Sequence, residues 1–406
     1  MFRIILFFIF HIFLSISYAE SWSQFRGPTG QGHVVRDIQL PINWDRKKGI
    51  DWNIRIDGQA WSSPICVNDQ ILLTNAILKN GDLKLEVISI NFIDGKIRWR
   101  KNLFNYSNQP RIHKKNSYAS PTPFYDGERI FVHYGNMGTA CLELNGDIVW
   151  KVKLDYEPVH GSGASPVVFQ NLLLLSADGA EDPSLYALNK KTGEIKWNAI
   201  RDSEAKKKFS FCTPIVVDKK TGVQIISPAS DYVFAYDLSG NQIWKFNYPE
   251  GYSVVPRPVL NNDIVYVSSG FNSPSLYALR VGGKGDITKS NLVWKTRKSV
   301  PRNSSMVIVD NLLFMASDNG VVSCLDSESG ELYWIERVAR ECSASLLHGN
   351  GKIFLSDELG KTYIFKAERK YSLIATNDLA ERVLASPVAY RGSLILRTEK
   401  GLWKIK

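Results

Sequence analysis

From about residue 50 onward, apolar runs of four to six residues alternate with short polar turns rich in Gly, Asp and Asn. No long segment holds a 3.6-residue apolar period, so the pattern predicts strands and hairpins rather than helices. The runs recur at intervals of 40 to 51 residues, a period that belongs to propeller architectures. One landmark is a turn followed by a strand carrying Trp. It reads Asp94-Gly95-Lys96-Ile97-Arg98-Trp99, and returns at Asn145 to Trp150, Thr192 to Trp197, Ser239 to Trp244 and Ser329 to Trp334, with a looser copy ending at Trp294. The second landmark is a small-residue-plus-Pro element before an apolar strand. It appears as Ser62-Ser63-Pro64, Ala119-Ser120-Pro121, Ala164-Ser165-Pro166 and Cys212-Thr213-Pro214. It continues as Pro256-Arg257-Pro258, Ser304-Ser305-Met306, Ser343-Ala344-Ser345 and Ala385-Ser386-Pro387. Two more strands lie between the landmarks, for example Leu172 to Ala177 and Leu185 to Leu188.

Each unit therefore holds four short strands, the content of one antiparallel blade. Eight entries predict an all-β, eight-bladed propeller over residues 48–406. The eighth unit ends at Leu402-Trp403-Lys404-Ile405, which matches a third strand; its fourth strand is missing from the C-terminus. Gly49-Ile50-Asp51-Trp52-Asn53-Ile54 supplies one, in register with Trp99. Pairing the two would close the ring and remove an exposed sheet edge. The blade tryptophans are then Trp52, Trp99, Trp150, Trp197, Trp244, Trp294 and Trp334, with Ile374 in the seventh position.

Composition supports this picture. Of 406 residues, 12% are aromatic, with 29 Gly and 17 Pro, a bias toward strands and tight turns. The formal net charge is +10, but the basic pairs are scattered among turns, and no nucleic-acid module is present. We read the charge as a solvated basic surface. Residues 1–19 read as a signal peptide, with Arg3, an apolar run from Ile4 to Ile16 and a cut after Ala19. Residues 20–47 form an N-terminal extension. Export to the periplasm or beyond, no later membrane span and a monomeric state are expected. The five cysteines sit in or beside apolar runs and read as buried free thiols.

The segment Leu185 to Trp197, with Asn189-Lys190-Lys191-Thr192-Gly193-Glu194-Ile195-Lys196-Trp197 at its end, resembles the repeat of pyrroloquinoline-quinone-like propellers; Asp326 to Trp334 is a second match. That family includes quinoprotein dehydrogenases and the non-catalytic outer-membrane assembly lipoprotein BamB. The resemblance covers roughly residues 44–406, and it implies the fold more than the function. The opening Trp22-Ser23-Gln24-Phe25-Arg26-Gly27-Pro28 looks like the start of many secreted bacterial proteins of this repeat class. We expect a clasp there, with Trp22 and Phe25 packed on the propeller and Arg26 in an ion pair.

The resemblance implies a vicinal disulfide, a calcium cage and a catalytic Asp for the quinone enzymes, and none of these maps onto this sequence. Asp178, Glu181 and Asp182 read as a solvated turn, since a calcium cage needs six to eight oxygens. His160-Gly161-Ser162-Gly163 lacks the order of a nucleophile elbow, and no two histidines have zinc spacing. No catalytic, cofactor or metal residues are assigned. The loops entering the innermost strands carry Trp61, Tyr118, His160, Phe211, Arg257, Arg302, Arg340, Glu341 and Arg382, a candidate interaction rim of aromatic and Arg side chains. The basic loop 104–117 is the longest insertion. The sequence points to an exported, non-catalytic scaffold whose partner is a protein or envelope polymer. A quinone- or small-ligand-binding oxidoreductase and a carbohydrate-binding module are the alternatives.

Overall fold

The computed structural model describes residues 21–35, 38–220 and 222–406; the expected signal peptide lies outside the described residues. Eight antiparallel sheets follow one another along the chain. Blades 1 to 7 run inside to outside in chain order, from Ile65–Val67 to Ile97–Tyr106 in blade 1 through Leu347–Gly349 to Leu373–Asp378 in blade 7. Blade 8 takes its three inner strands from Val388–Tyr390, Ser393–Arg397 and Gly401–Ile405, and its outermost from Ile50–Arg55. Blade 4 carries one addition, the short parallel strand Gly285–Asp286. Among the described residues no helix is long and apolar enough to cross a membrane.

The predicted closure is present, with a register shift between Ile50 and Trp52. Trp52 pairs with Lys404, Ile54 with Leu402 and Arg55 with Gly401. Gly401 is required there by contact, because a Cβ at that position would lie 1.9 Å from the Ile54 carbonyl oxygen. Lys404 is almost fully buried and secures the seam from inside the ring. Its Nζ donates to the Phe92 carbonyl at 2.9 Å and lies 2.9 Å from the Asp51 carboxylate.

The core is not a single mass. The described apolar clusters each span neighbouring blades: Ala60 to Leu142 join blades 1 and 2, Phe124 to Leu188 join 2 and 3, and Trp22 to Ile405 join 7, 8 and 1. Each sheet thus buries both faces against its neighbours.

The two sequence landmarks prove to be parts of two inter-blade contacts. In the first, the indole of one blade lies on the turn glycine of the next. A Cβ at Gly95, Gly146, Gly193, Gly240 or Gly330 would come within 2.7–2.9 Å of the rings of Trp52, Trp99, Trp150, Trp197 and Trp294. These glycines also hold positive φ, a region costly for other residues. The indole Nε1 of Trp52, Trp150, Trp197 and Trp294 then donates to a carbonyl of that same neighbour, at 2.9–3.1 Å. Trp334 does so without a glycine, bonding the Glu368 carbonyl at 3.0 Å. Trp244 faces an insertion instead of a glycine turn; it is fully buried and bonds Gln224 of its own blade at 2.9 Å.

Gly401→Val tests the seam. It should push Ile50–Arg55 off the sheet and cost about 2 kcal/mol by overpacking, read as a lower thermal midpoint. Deleting residues 48–55 should go further and abolish the single cooperative transition; a deletion that melts like the intact chain would disprove the closure.

Candidate functional site: the axial funnel

The second landmark builds the centre of the ring. Just before each innermost strand, one backbone N–H faces the next blade and must be satisfied. A hydroxyl from that blade accepts it. Ser63 N donates to Thr122 Oγ1 at 3.0 Å, Thr122 N to Ser165 Oγ at 2.9 Å, and Ser165 N to Thr213 Oγ1 at 2.9 Å. After a break the belt resumes: Arg257 N to Ser305 Oγ at 2.9 Å, Ser305 N to Ser345 Oγ at 3.0 Å, Ser345 N to Ser386 Oγ at 2.9 Å, and Ser386 N back to Ser63 Oγ at 3.0 Å. Seven bonds link eight blades. The break falls at blade 5, where Arg257 stands in place of a hydroxyl. Blade 2 corrects the expected phase of the landmark: its belt residue is Thr122 before Pro123, not Ser120 before Pro121.

The N-terminal extension seals one side of this belt. Trp22 exchanges backbone bonds with Cys66 of blade 1 at 2.8 and 2.9 Å, and Tyr125 N of blade 2 donates to Ser23 O at 2.8 Å. Farther along, His348 N of blade 7 donates to Gly32 O at 2.8 Å, and Val34 N to His348 O at 3.0 Å. The expected packing of Trp22 is present, with only 3% of it exposed. The expected ion pair of Arg26 is not: its Nη2 donates to the carbonyls of Gln31 and Met306.

On the other side of the belt a funnel of about 550 Å³ opens to solvent, with Phe25 of the extension and the belt hydroxyls of Ser63, Thr122, Ser165, Ser345 and Ser386 among its lining residues. One wall is aromatic. His113, His160, Phe209, Tyr252 and Phe271 form a chain of ring contacts with centroids 5.5, 5.1, 5.6 and 5.8 Å apart in turn. Burial, then His113, lower the His160 pKa from its ordinary value. Cations flank this wall, with Lys207 4.2 Å above the Tyr252 ring and Arg302 4.9 Å above Phe271. Asp318 also lines the funnel and accepts from the backbone N–H groups of Arg302 and Asn303 at 2.9 and 3.2 Å. Burial raises its pKa despite those bonds.

The basic insertion leans over the mouth. Asn116 Nδ2 donates to the carbonyls of His160 and Ser162 at 2.8 and 3.3 Å. Lys115 reaches Glu358 of blade 7 at 2.9 Å, and the same carboxylate takes Ser343 Oγ at 2.6 Å and Arg382 at 3.1 Å. Arg382 in turn lies 5.7 Å from the Trp61 ring centre.

Of the rim residues expected from sequence, Trp61, His160, Phe211 and Arg302 line this funnel. Tyr118 instead braces the insertion through Pro110 O at 2.9 Å. Arg340 and Glu341 are exposed away from the lining, and Arg257 is 3% exposed below the floor. Phe209, Tyr252, Phe271 and Asp318 escaped sequence reading because they come from loops of unequal length that carry no repeat. The belt had a legible signal, since a hydroxyl recurs at one repeat position.

Asp178 departs from the expected solvated turn. It is buried and holds Arg201 with two bonds of 2.9 and 3.1 Å, while Glu181 and Asp182 are exposed. Among the described residues, no three His, Cys, Asp or Glu side chains gather as metal ligands. The five cysteines are free and buried, and burial pushes Cys141, Cys324 and Cys342 up to about 12. A calcium ion takes six to eight oxygen ligands, and Asp318 is the single carboxylate among the funnel's lining residues, so this lining does not fit a calcium-held quinone.

Comparison with known proteins now adds the lineage. The family described as outer membrane protein assembly factor BamB matches residues 83–336 and 286–402. A curated relative of that name from Yersinia pestis is 25% identical over 243 residues, which is 55% of this chain and 56% of the relative. The chain thus spans a little over half the length of that relative. Among solved structures, BamB from Moraxella catarrhalis superposes with a TM-score of 0.61 at 14% identity, covering 88% of this chain and 98% of that one. A europium-containing methanol dehydrogenase gives 0.68 at 10% identity, covering 95% and 90%. At such identities the structural likeness shows the fold alone, and propellers of this shape include both an assembly factor and a dehydrogenase. The family match runs across most of the blades, and the chain belongs to the outer membrane protein assembly factor BamB family of propellers.

Proposed function

We propose that this protein is an exported, non-catalytic propeller that scaffolds outer-membrane assembly by holding a segment of a partner protein at the mouth of the axial funnel. Membership of the assembly-factor family supports the assembly role. The mouth supports the place. Phe271 is 46% exposed beside Arg302, and Tyr252 sits beside Lys207. Aromatic and Arg groups presented together on rigid blades are the side chains on which protein interfaces concentrate their binding energy. The observation that carries the reading is this aromatic wall with its cations, set on a face that the extension does not cover. Thiols held protonated by burial support the absence of thiol catalysis.

A second reading has one observation in its favour. The funnel is large enough for one or two sugar-sized rings, and aromatic walls stack on rings. Calorimetry with pyrroloquinoline quinone plus calcium, and a glycan array, address it. Saturable binding tighter than about 100 µM that Phe209→Ala abolishes would favour a ligand site over a scaffold.

The scaffold reading makes two predictions. A photo-crosslinking residue at Phe271 or Tyr252 should capture a discrete envelope protein, and one at Ile195, on the outer edge of blade 3, should not. Arg302→Glu combined with Phe271→Ala should lower that capture at least tenfold while shifting the melting temperature by no more than about 1 °C, since both are surface changes. Equal capture at all sites, or capture unaffected by the double variant, would refute it.

The second prediction concerns access to the funnel. Burial alone would raise the pKa of Glu358, but Ser343, Lys115 and Arg382 outweigh it and hold the carboxyl below its usual range. A lowered carboxylate pKa stabilises the docked insertion above the ordinary Glu range, and that contribution is lost as pH falls through the lowered value. Amide exchange of residues 107–117, corrected for intrinsic rate, should stay slow at pH 5 and quicken only below the ordinary glutamate range. In Glu358→Gln it should be fast throughout. An unchanged rate in that variant would show that Glu358 does not hold the insertion.

A further inference from the structure

Beneath the funnel floor, two buried arginines lie together with no carboxylate paired to either among the described residues. Arg26 is 2% exposed and Arg257 3%. They are neighbours through the chain itself. Arg257 Nη1 donates to the Phe25 carbonyl at 2.7 Å and to Gln24 Oε1 at 3.2 Å. Arg26, the next residue, reaches the carbonyl of Met306, which adjoins the Ser305 hydroxyl that accepts Arg257 N. Arg26 also holds φ at 67°, a strained region for a side chain of that size.

The donors are not all used. A guanidinium carries five N–H groups and no acceptor. Arg26 spends Nη2 on the carbonyls of Gln31 and Met306, and its Nε and Nη1 are buried without a partner. Arg257 spends Nη1, and its Nε is likewise buried without a partner. Other buried arginines of this protein are treated differently. Arg201 has the Asp178 carboxylate as a counter-charge, although its Nη1 is also without a partner. Arg397 places its terminal nitrogens on Ser62, Thr74 and Asn75 at 2.6–3.3 Å. Burying a charge without a counter-charge is among the most costly arrangements in a protein, and each orphaned donor adds to it. Burial first, then the field of Arg257, lowers Arg26 to about 9, and burial lowers Arg257 to about 10. Both groups are still cationic at neutral pH.

We propose that a monovalent, halide-sized anion, chloride under physiological conditions, binds between Arg26 and Arg257 at the blade 5 gap in the hydroxyl belt. The size follows from the walls. A Cβ at Gly30 would lie 2.5 Å from Arg257 Nη1, and one at Gly32 2.5 Å from Arg26 Nη2, so the guanidinium groups are closely covered. That close cover favours a compact ion, which can accept from the four N–H groups of the three unpartnered nitrogens. Its charge offsets one of the two cations. The anion then pins the N-terminal extension to blades 5 and 6, the sector where the belt itself is open.

Crystals of the full chain grown or soaked in bromide test the site directly. Anomalous density is expected within about 3.5 Å of the unpartnered nitrogens of Arg26 and Arg257, the reach of an N–H to halide bond. In solution at constant ionic strength, replacing gluconate by chloride should raise the melting midpoint by about 2 °C with saturation, as for any ligand of the folded state alone. Arg257→Ser offers Thr213 N–H the hydroxyl that it lacks. The variant should fold, lose the bromide peak and lose the chloride response. The bromide measurement on the unaltered chain stands even if that variant does not fold. Water-level density without an anomalous signal, or equal melting in chloride and gluconate, would overturn the proposal.

Discussion

A four-stranded sheet with two apolar faces has no stable life of its own, and everything in this structure answers that constraint. Each blade buries both faces only because another stands on either side. The apolar clusters accordingly lie between blades and not within them. A chain of such units has two bare ends until it closes. Ile50–Arg55 therefore has a value out of proportion to its six residues, because it joins the first-made part of the chain to the last. Lys404, desolvated inside that seam, shows how tightly the join is built.

Two polar devices keep the blades in register while the apolar contacts hold them together. Outside, an indole lies on a glycine turn and donates to the same neighbour. Inside, a backbone N–H meets a hydroxyl of the next blade. Both are directional, and a non-directional apolar interface needs such bonds to set one angle between sheets. The breaks in this regularity are where the molecule becomes particular. At blade 5 the glycine turn is replaced by an insertion, and Trp244 folds back into its own blade. At the same blade the belt hydroxyl is replaced by Arg257, which grips the N-terminal extension. The extension closes one face of the ring, and this leaves the aromatic wall of the other as the open one.

The repeat was legible because it is set by spacing, and spacing survives substitution. Trp99, Trp150 and Trp197 with their turn glycines announced the blades, and Leu402 to Ile405 without a following Trp announced the closure. The site was less legible. Trp61, His160, Phe211 and Arg302 could be placed on the rim because they stand next to landmarks. Phe209, Tyr252 and Phe271 could not, since their loops differ in length and their meeting depends on the ring setting successive blades side by side. Arg257 shows the opposite failure: it sits at a rim position by sequence, yet its long side chain turns under the floor to reach Phe25. Lys115 and Glu358 are 243 residues apart, a pairing no local pattern can announce.

Site-resolved native-state hydrogen exchange tests the closed ring most directly, because it assigns an opening free energy to each strand. If the ring is one cooperative body sealed by its N-terminal strand, the paired amides of Ile50–Arg55 and Gly401–Ile405 should exchange only through global unfolding, with the same free energy as the central strands of blades 3 and 6. Exchange of Ile50–Arg55 at free-chain rates, while those central strands stay protected, would contradict the account.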